Sequence, residues 1–243
     1  PSLMPAPVAP LPPECDLAIS SEKDFINLTI NSSTPKGTMF CLTRDINMAD
    51  YPSVHLSGIT SYSVDYIING QDFAIHNVHL QDKPLFGRSG KVKFLNLKMI
   101  NWSADFDCKN TDTCGGILQQ SGAYYDNKVS LFNSYMTYEN SEFLTTKPIR
   151  LKSKIEKKGL YVQIGTYCAH IFGHQTTVIN SRFMINNFYA QCKQVSLGLT
   201  NIRDSKVHVK GEVQALGAAV IGVQDLKKSD ISVDIKATTA GKG

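Results

Sequence analysis

The chain has 243 residues, of which 42% are hydrophobic and 19% are charged, with 25 Lys and Arg against 21 Asp and Glu. The hydrophobic share excludes a chain that is disordered throughout, and a formal charge of +4 falls short of the dense basic surface of a nucleic-acid-binding domain. The sequence therefore predicts no nucleic-acid partner. It also predicts no membrane span, because no apolar run approaches the roughly 20 residues of a membrane-spanning helix.

The first predicted segment is a proline-rich tether over residues 1–14, which holds six of the ten prolines. Each proline ring fixes a backbone angle and removes a hydrogen-bond donor, so this stretch forms neither helix nor sheet. The alternative is a frayed terminus.

We expect one folded domain over residues 15–243. The final stretch, residues 238–243, has no amphipathic cap, which suggests that the chain is part of a longer protein or that a partner covers this end.

Beyond the tether the sequence is typical of β-strands, because short runs of Val, Ile, Thr, Tyr and Phe alternate with polar residues and turn formers. Clear examples are Phe25–Ile30, Val92–Met99, Lys206–Lys210 and Asp230–Ile235. No segment carries a convincing helical period. The basic stretch Lys152–Lys158 is interpreted as an edge strand or an excursion.

One unit recurs along the chain: an apolar step that ends in Gly, a polar turn, and a strand with a polar residue near its start. That polar position falls at Asn77, Asn96, Asn133, Asn180, Asp204 and Lys228. The spacings are 19, 37, 47, 24 and 24 residues, and the two longest contain candidate insertions at Asp105–Gly116 and Thr145–Gly159. Repeats of this length without helices predict an all-β, right-handed parallel β-helix (β-solenoid) of about 8 to 10 coils with loop insertions. Ordinary turn chemistry accounts for the asparagines without a ligand.

Four segments near the N-terminus carry a resemblance to a known family. They are Phe40–Asn47, Tyr66–Leu80, Pro84–Gly87 and Val92–Leu97. Together they resemble the opening of the GLUG-type repeat family, whose members form β-solenoid segments of bacterial surface and secreted proteins, including adhesins and some immunoglobulin A-cleaving metalloproteases. The match covers residues 40–99 and, more loosely, residues 115–235. The resemblance implies a solenoid fold and a cell-surface or secreted location, and it implies no particular activity.

The six cysteines are spread along the chain, and no two are spaced as Cys-x-x-Cys, so a structural zinc site is disfavoured and no metal or cofactor is predicted. Six cysteines allow about 15 pairings, among which we predict the one in chain order: Cys15–Cys41, Cys108–Cys114 and Cys168–Cys192. The middle pair is the best supported, because it flanks a polar loop. Such disulfides place the protein in an oxidising compartment, secreted or at the cell surface. The alternative is a set of buried free thiols in a cytosolic protein.

Asp105 and Asp107, with Asp112 nearby, form the best local carboxylate cluster. Residues two apart on a strand point to the same side, and carbohydrate-cleaving enzymes use carboxylates that converge on one face. Alternatively, these acids simply solvate a turn. We predict no catalytic residue.

Two histidine pairs, His170 with His174 and His76 with His79, have spacings seen in metal sites. Their neighbours are typical of strands and turns, and Ile171 stands where the metalloprotease signature requires Glu. Both pairs are therefore interpreted as surface or hydrogen-bonded histidines rather than metal ligands.

The strongest charge feature is the alternation of Arg150, Lys152 and Lys154, which on a strand would share one face. Such a face could bind sulfated or other anionic glycans, lipopolysaccharide or an anionic membrane surface. Alternatively, it is a solvated basic edge that discourages strand pairing. Tyrosines could add a surface on which sugars stack, or they could simply fill the core. They are Tyr124, Tyr125, Tyr135 and Tyr138.

The leading functional hypothesis is a non-enzymatic bacterial surface or secreted binding protein, adhesin-like, that presents a rigid β-solenoid to a host or cell-surface glycan or protein. Fold analogy carries most of this inference. One alternative is a carbohydrate-active β-helix enzyme of the tailspike or lyase type. Another is a structural spacer within a larger secreted protease or autotransporter passenger.

Overall fold

The computed structural model describes residues 10–61, 63–87, 90–108, 129–132, 135–153, 155–158, 161–164, 167–215 and 223–239. Within these ranges the chain is all-β except for one five-residue helix. In chain order the elements are β1 (Leu17–Ile19), α1 (Glu22–Ile26), β2 (Thr38–Leu42), β3 (Ile46–Asn47), β4 (Tyr66–Asn69), β5 (Ala74–His76), β6 (His79–Gln81), β7 (Lys91–Leu95), β8 (Lys98–Ile100), β9 (Ser103–Cys108), β10 (Tyr135–Glu139), β11 (Glu142–Thr145), β12 (Ile149–Ser153), β13 (Ile155–Lys158), β14 (Tyr161–Ile164), β15 (His174–Ile179), β16 (Arg182–Cys192), β17 (Leu199–Arg203), β18 (Lys206–Ala215), β19 (Asp225–Lys227) and β20 (Asp230–Thr239).

The first sheet has eight parallel strands in the order β1-β2-β4-β7-β10-β15-β17-β19. The strand order follows the chain order, and every strand pairs with the next one contributed by the chain. We call each segment that begins with a strand of this sheet a repeat. The last repeat is therefore formed by β19 and β20.

The second sheet has ten strands, all parallel, and it divides into two wings. The first wing is β3-β5-β8-β11, which pairs with the N-terminal half of β16, and the second wing is β6-β9-β12, which pairs with its C-terminal half. β18 and β20 then continue both wings as long strands. The parallel sheets confirm the predicted all-β class, and their repeat-by-repeat pairing is consistent with a parallel β-helix.

A bulge marks the junction of the two wings in the long strands, between Ile185 and Phe188 of β16. Gly211 of β18 lies opposite Phe188, and a Cβ atom there would come within 1.7 Å of the Phe188 carbonyl oxygen. Since backbone cannot move away as a flexible side chain can, only glycine fits this close approach.

The inward faces of the strands build one apolar core in which equivalent residues of successive repeats stack. The best-defined column in the first sheet is Phe40, Ile68, Phe94, Tyr138, Val178, Ile202 and Leu226. All but the last are at most 2% exposed. Neighbouring strands lie about 4.8 Å apart, so each side chain packs against the one before it and the one after it. Phe94 and Tyr138, for example, meet edge to face with ring centroids 5.7 Å apart.

A polar ladder follows the corner between the first sheet and the first wing. Asn96, Asn140 and Asn180 have positive φ values of 45–50°, and their side-chain amides form a chain in which each donates to the amide oxygen of the previous repeat. Asp204 and Lys228 continue the same left-handed corner. The predicted polar column is therefore right at four positions.

Two members of that predicted column need correction or lie outside the described residues. Asn77 occupies a different corner, between the two wings, where it also has positive φ. The member after Asn96 is Asn140, whereas the predicted Asn133 lies outside the described residues. Inserted residues hide the period between Asn96 and Asn140, which is why the spacing misled the prediction.

A serine ladder runs beside the asparagines. The hydroxyl oxygen of Ser141, Ser181, Ser205 and Ser229 accepts the backbone N–H of the residue one repeat earlier, across chain separations of 44, 40, 24 and 24 residues. The same hydroxyls donate to the carbonyl two residues before them. These bonds satisfy backbone N–H groups at the corner, where the chain leaves one strand and has no partner strand to bond them.

The segment Phe25–Ile30, predicted as a strand, instead begins inside α1. Ser21 caps the helix by accepting the Asp24 N–H at 3.0 Å, while the Asp24 carboxylate accepts the Ser20 N–H at 2.9 Å. The pattern resembles a capping box, except that the Asp24 carboxylate bonds the N–H of the residue before the N-cap rather than that of the N-cap itself. It outweighs the strand propensity of the following residues and places Phe25 in the core at 1% exposure.

The two predicted insertions begin later than expected. Asp105 and Asp107 lie on the regular strand β9, and residues 149–153 form the regular strand β12. The second insertion is an antiparallel hairpin of β13 and β14 that follows β12. The predicted excursion over Lys152–Lys158 thus divides between the end of a core strand and the first arm of this hairpin.

Two disulfides join neighbouring repeats in the chain order expected from the sequence. Cys15 and Cys41 have Cα atoms 5.9 Å apart, and those of Cys168 and Cys192 are 5.8 Å apart. Cys108 is also disulfide-bonded. Cys114, its predicted partner, lies outside the described residues, as do residues 1–9 of the predicted tether. The two bridges are typical of an oxidising, extracellular compartment.

Candidate functional site

The outward side of the second wing brings together residues from three strands far apart in the sequence. We call this surface the polar face and define it by Asp105, Asp107, Arg150, Lys152, Tyr189 and Gln191. Along β9, β12 and the C-terminal half of β16, these residues alternate with buried ones such as Phe106 and Leu151. The strand period of two therefore directs their side chains away from the core.

Strand register sets the polar face in two columns. Asp105 lies opposite Arg150, and Arg150 lies opposite Tyr189. In the second column Asp107, Lys152 and Gln191 follow one another in the same way. The predicted carboxylate pair and the predicted basic residues are thus neighbours on one surface.

Arg150 is the centre of the polar face. Its guanidinium lies 3.6 Å from the Asp105 carboxylate and 5.9 Å from the centroid of the Tyr189 ring. The side chains of Arg150 and Asp105 are 45% and 40% exposed, so solvent weakens their attraction and their contribution to stability is small. A guanidinium held over an aromatic ring still keeps donors directed outward.

A hydrogen-bonded margin borders the polar face on the β6 side. The Asp82 carboxylate accepts the Asp107 N–H at 2.8 Å, and the Gln81 amide donates to the Asp105 carbonyl at 3.0 Å. His79 contacts the Ser103 hydroxyl at 2.8 Å through Nδ1 and the Gln81 amide oxygen at 3.0 Å through Nε2. These bonds hold β6 against β9 and fix the orientation of the two aspartates' backbone.

Opposite charges balance across the polar face. Asp105 and Asp107 stand against Arg150 and Lys152, so the strongly basic surface that the sequence predicts is offset by acids from the neighbouring strand. Lys154, the third predicted basic residue, and Asp112, the third predicted acid, lie outside the described residues. The arrangement can supply hydrogen-bond donors and acceptors together with an aromatic ring.

The two members of one histidine pair are in contact, whereas those of the other pair lie on different strands. His170 and His174 come together with ring centroids 4.5 Å apart, and His174 also meets the Tyr135 ring at 5.0 Å. His79, as described above, belongs to the margin of the polar face, while His76 ends β5. Among the described residues no group of three or more His, Cys, Asp or Glu side chains is placed to hold a metal ion.

The predicted sugar-stacking tyrosines do not form one surface. Tyr138 is fully buried and donates to the Phe172 carbonyl at 2.6 Å, and burial raises the pKa of its phenol well above the ordinary value. Tyr135 is half-buried beside His174, and Tyr124 and Tyr125 lie outside the described residues.

Sequence reasoning missed Tyr189 and Gln191. The signal was present in the run Phe188–Cys192, in which three apolar residues alternate with Tyr189 and Gln191 in the pattern of a half-buried strand. What the run alone could not reveal is its neighbour, because only the register places Tyr189 beside Arg150.

No family model matches the chain, and no curated protein matches it. A search of solved structures finds a candidate immunoglobulin A1 protease from Bacteroides ovatus, which is 13% identical over 90% of this chain and 84% of that protein, with a TM-score of 0.35. Across the described part of the chain, no helix has both the length and the apolar character needed to span a bilayer.

Proposed function

We propose that this protein is a non-enzymatic surface or secreted binding protein, adhesin-like, and that its polar face binds a glycan chain of a host or of another cell. The observation that carries the proposal is the outward alignment of Arg150, Tyr189 and Gln191 with two aspartates on adjacent strands. The two disulfides support exposure to an oxidising environment.

The proposal includes the way the chain winds. From β4 onward, each repeat passes from the first sheet through the first wing to the second wing, and we infer that these passes form a right-handed parallel β-helix. In such a fold the polar face is a flat, rigid strip whose side chains recur about every 4.8 Å. A preorganised strip of this kind binds an extended polymer without the entropic cost of ordering loops.

The side chains of the polar face suit sugar hydroxyls. The Tyr189 ring offers an apolar surface for the C–H face of a sugar, while Gln191 and Arg150 supply hydrogen bonds around it. Because the two acids of β9 face the two bases of β12, recognition rests on hydrogen bonds and stacking rather than on bulk positive charge. Glycan binding should therefore depend only weakly on salt.

The chain connections place inserted residues next to the polar face. The β13–β14 hairpin follows β12, the strand that carries Arg150 and Lys152 of the polar face. Insertions on a rigid scaffold are common positions for binding residues. They are the natural source of selectivity between glycans on this surface.

A binding role is favoured over hydrolysis because the Asp105 carboxylate is paired with Arg150. Asp105 and Asp107 also lie side by side on one strand, whereas glycoside cleavage uses two carboxylates that flank the scissile bond. The carboxylate pair therefore fits a positioning role for a bound sugar better than bond cleavage.

The experiment is a polysaccharide array of neutral, carboxylated and sulfated polymers, probed with the full chain. We expect a Tyr189→Ala, Arg150→Gln double substitution to weaken binding to the bound polymers at least about tenfold. The matched control is Arg203→Gln with Lys227→Gln on the outer face of the first sheet, which is expected to leave binding unchanged. Because the double substitution removes one cation and the control removes two, a charge effect alone would weaken the control more.

Three results would overturn the proposal. The first is a loss in the control as large as, or larger than, the loss in the test variant, which would indicate that binding does not depend on the polar face. The second is release of shortened chains from any polymer, which would make the protein a carbohydrate-active enzyme. The third is absence of binding to every polymer by a chain with unchanged circular dichroism, which would favour a structural spacer.

A further inference from the structure

The two columns of the polar face continue onto β18. Glu212 lies opposite Tyr189 in register, and Gln214 lies opposite Gln191. Val213 between them is 2% exposed, so the strand period directs Glu212 and Gln214 outward. The Glu212 side chain is exposed, and that of Gln214 is half-buried. A carboxylate and an amide therefore stand one strand away from the Tyr189 ring, at a spacing of about 4.8 Å.

The two faces of the Tyr189 ring have different surroundings. β12 and β18 pair with opposite edges of β16. Arg150 of β12 holds its guanidinium 5.9 Å from the ring centroid and covers the face that looks toward β12. Among the described residues no other cation stacks on this ring. A sugar that stacks its C–H face on Tyr189 therefore takes the opposite ring face and lies above β18.

Hydrogen-bonding groups surround this position above β18. The Tyr189 hydroxyl donates to Gln191 Oε1 at 3.3 Å, which occupies the amide oxygen and keeps the NH2 donors of Gln191 for a ligand. Lys236 of β20 lies opposite Glu212, but the two form no ion pair in the described part of the chain. The Glu212 carboxylate thus keeps its acceptor oxygens for a ligand, and Gln214 adds an amide beside it.

We propose, building on the glycan-binding function above, that Tyr189, Gln191, Glu212 and Gln214 form the principal sugar subsite of the polar face. Its ligand is an uncharged pyranose unit with free neighbouring hydroxyls. The ring binds the C–H face of the sugar, the Glu212 carboxylate accepts two adjacent hydroxyls, and the two amides fix the remaining ones. Arg150 supports the ring from its other face.

The charges at the subsite favour a neutral sugar over an acidic one. A carboxylated or sulfated unit stacked on Tyr189 would face the Glu212 carboxylate and be repelled by it. The cation on the other face does not offset this repulsion, because Arg150 lies 3.6 Å from the Asp105 carboxylate. Neutral polymers are therefore the class of glycan that this subsite selects.

The test is calorimetric titration of the full chain with cellohexaose, mannohexaose and maltohexaose, and with hexagalacturonate as the carboxylated counterpart. We expect Glu212→Gln to weaken binding of the neutral hexasaccharides about tenfold, because a carboxylate accepts hydroxyl hydrogen bonds more strongly than an amide does. The same substitution should strengthen binding of hexagalacturonate, because it removes a like charge. Since Glu212 is exposed, the circular dichroism should not change.

The matched control is Glu142→Gln on the outward side of the first wing, which should change the binding of neither kind of probe. The inference fails if Glu212→Gln has no larger effect than this control, or if it weakens the binding of neutral and carboxylated probes equally. It also fails if none of the three neutral hexasaccharides binds.

These failures are distinct from failure of the proposed function. If polymers bind on the array and the Tyr189→Ala, Arg150→Gln double substitution weakens that binding, the polar face remains a glycan-binding surface and only the subsite is refuted. An array on which no polymer binds would instead refute the function, and the subsite with it.

Discussion

The central repeats and the last repeat share one pattern of residues but differ in burial. In the stacked column of the first sheet, Phe94, Tyr138 and Val178 are at most 1% exposed, whereas Leu226 in the last repeat is 49% exposed. The corner of the last repeat still has the left-handed Lys228 and the ladder serine Ser229. Burial of a repeat is therefore determined by its two neighbours rather than by its own sequence.

The largest effect should come from shortening two side chains of this column, one in a central repeat and one in the last repeat. Phe94→Ala removes a fully buried ring and leaves a cavity, which should lower the free energy of unfolding by about 3–5 kcal/mol. Leu226→Ala in the same column should cost less than about 1 kcal/mol, because nearly half of that side chain is already in water. Urea unfolding of both variants measures the difference.

Equal losses at the two positions would contradict the comparison. They would mean that the last repeat is buried as deeply as the central ones.

The polar column at the corner between the first sheet and the first wing indicates what could be predicted from the sequence. Equal spacing of Asn180, Asp204 and Lys228 exposes the period, because no insertion interrupts the last three repeats. From that period follow the parallel pairing of strands and the stacking of inward residues. The disulfide between Cys168 and Cys192 joins positions 24 residues apart, which is the same period.

The polar face could not be predicted in this way. Asp105 and Arg150 are neighbours across a ladder, but the inserted residues 109–128 lie between them in the chain and obscure which strands pair. Each residue was identified as a candidate, and only the register joins them. α1 was missed for a different reason: the capping interactions of Ser21 and Asp24 are local signals that a search for strand alternation overlooks.

A smaller effect should separate the serines of central and last repeats. The Ser181 hydroxyl accepts the Ser141 N–H at 3.0 Å in a buried corner, so Ser181→Ala leaves that donor without an acceptor and should cost about 1–2 kcal/mol. Ser229→Ala removes the equivalent bond to Ser205 at a corner closer to water, and it should cost about 0.5 kcal/mol.

Thermal unfolding of the two serine variants, with Ser181→Thr as a variant that keeps a hydroxyl, makes this comparison. A Ser229→Ala loss as large as that of Ser181→Ala would indicate that water does not reach the last corner. Full recovery in Ser181→Thr would support the hydroxyl, rather than side-chain volume, as the source of the effect.

The smallest effect concerns the first repeat, in which α1 packs beside β1. Glu22 of α1 accepts from Arg44 at 2.9 Å and from the Asn47 N–H at 3.1 Å. Burial alone would raise the pKa of this carboxyl, but hydrogen bonds from the Asn47 and Glu22 N–H groups and the charge of Arg44 outweigh it, and the net pKa is lowered. A carboxyl whose pKa is lower in the folded chain stabilises the fold above its unfolded pKa, and this contribution is lost as pH falls through the folded value.

The expected contribution of Glu22 is about 0.5–1 kcal/mol, present at pH 6 and lost in acid as the pH falls through the folded pKa. Comparing Glu22→Gln with the unaltered chain isolates it, because glutamine keeps the size of the side chain and has no titration. The two stability curves should differ at pH 6 and converge in acid. If the free energies of unfolding of the two chains differ by the same amount at every pH in this range, Glu22 acts through packing alone. The ion pair with Arg44 would then contribute nothing to the stability of the fold.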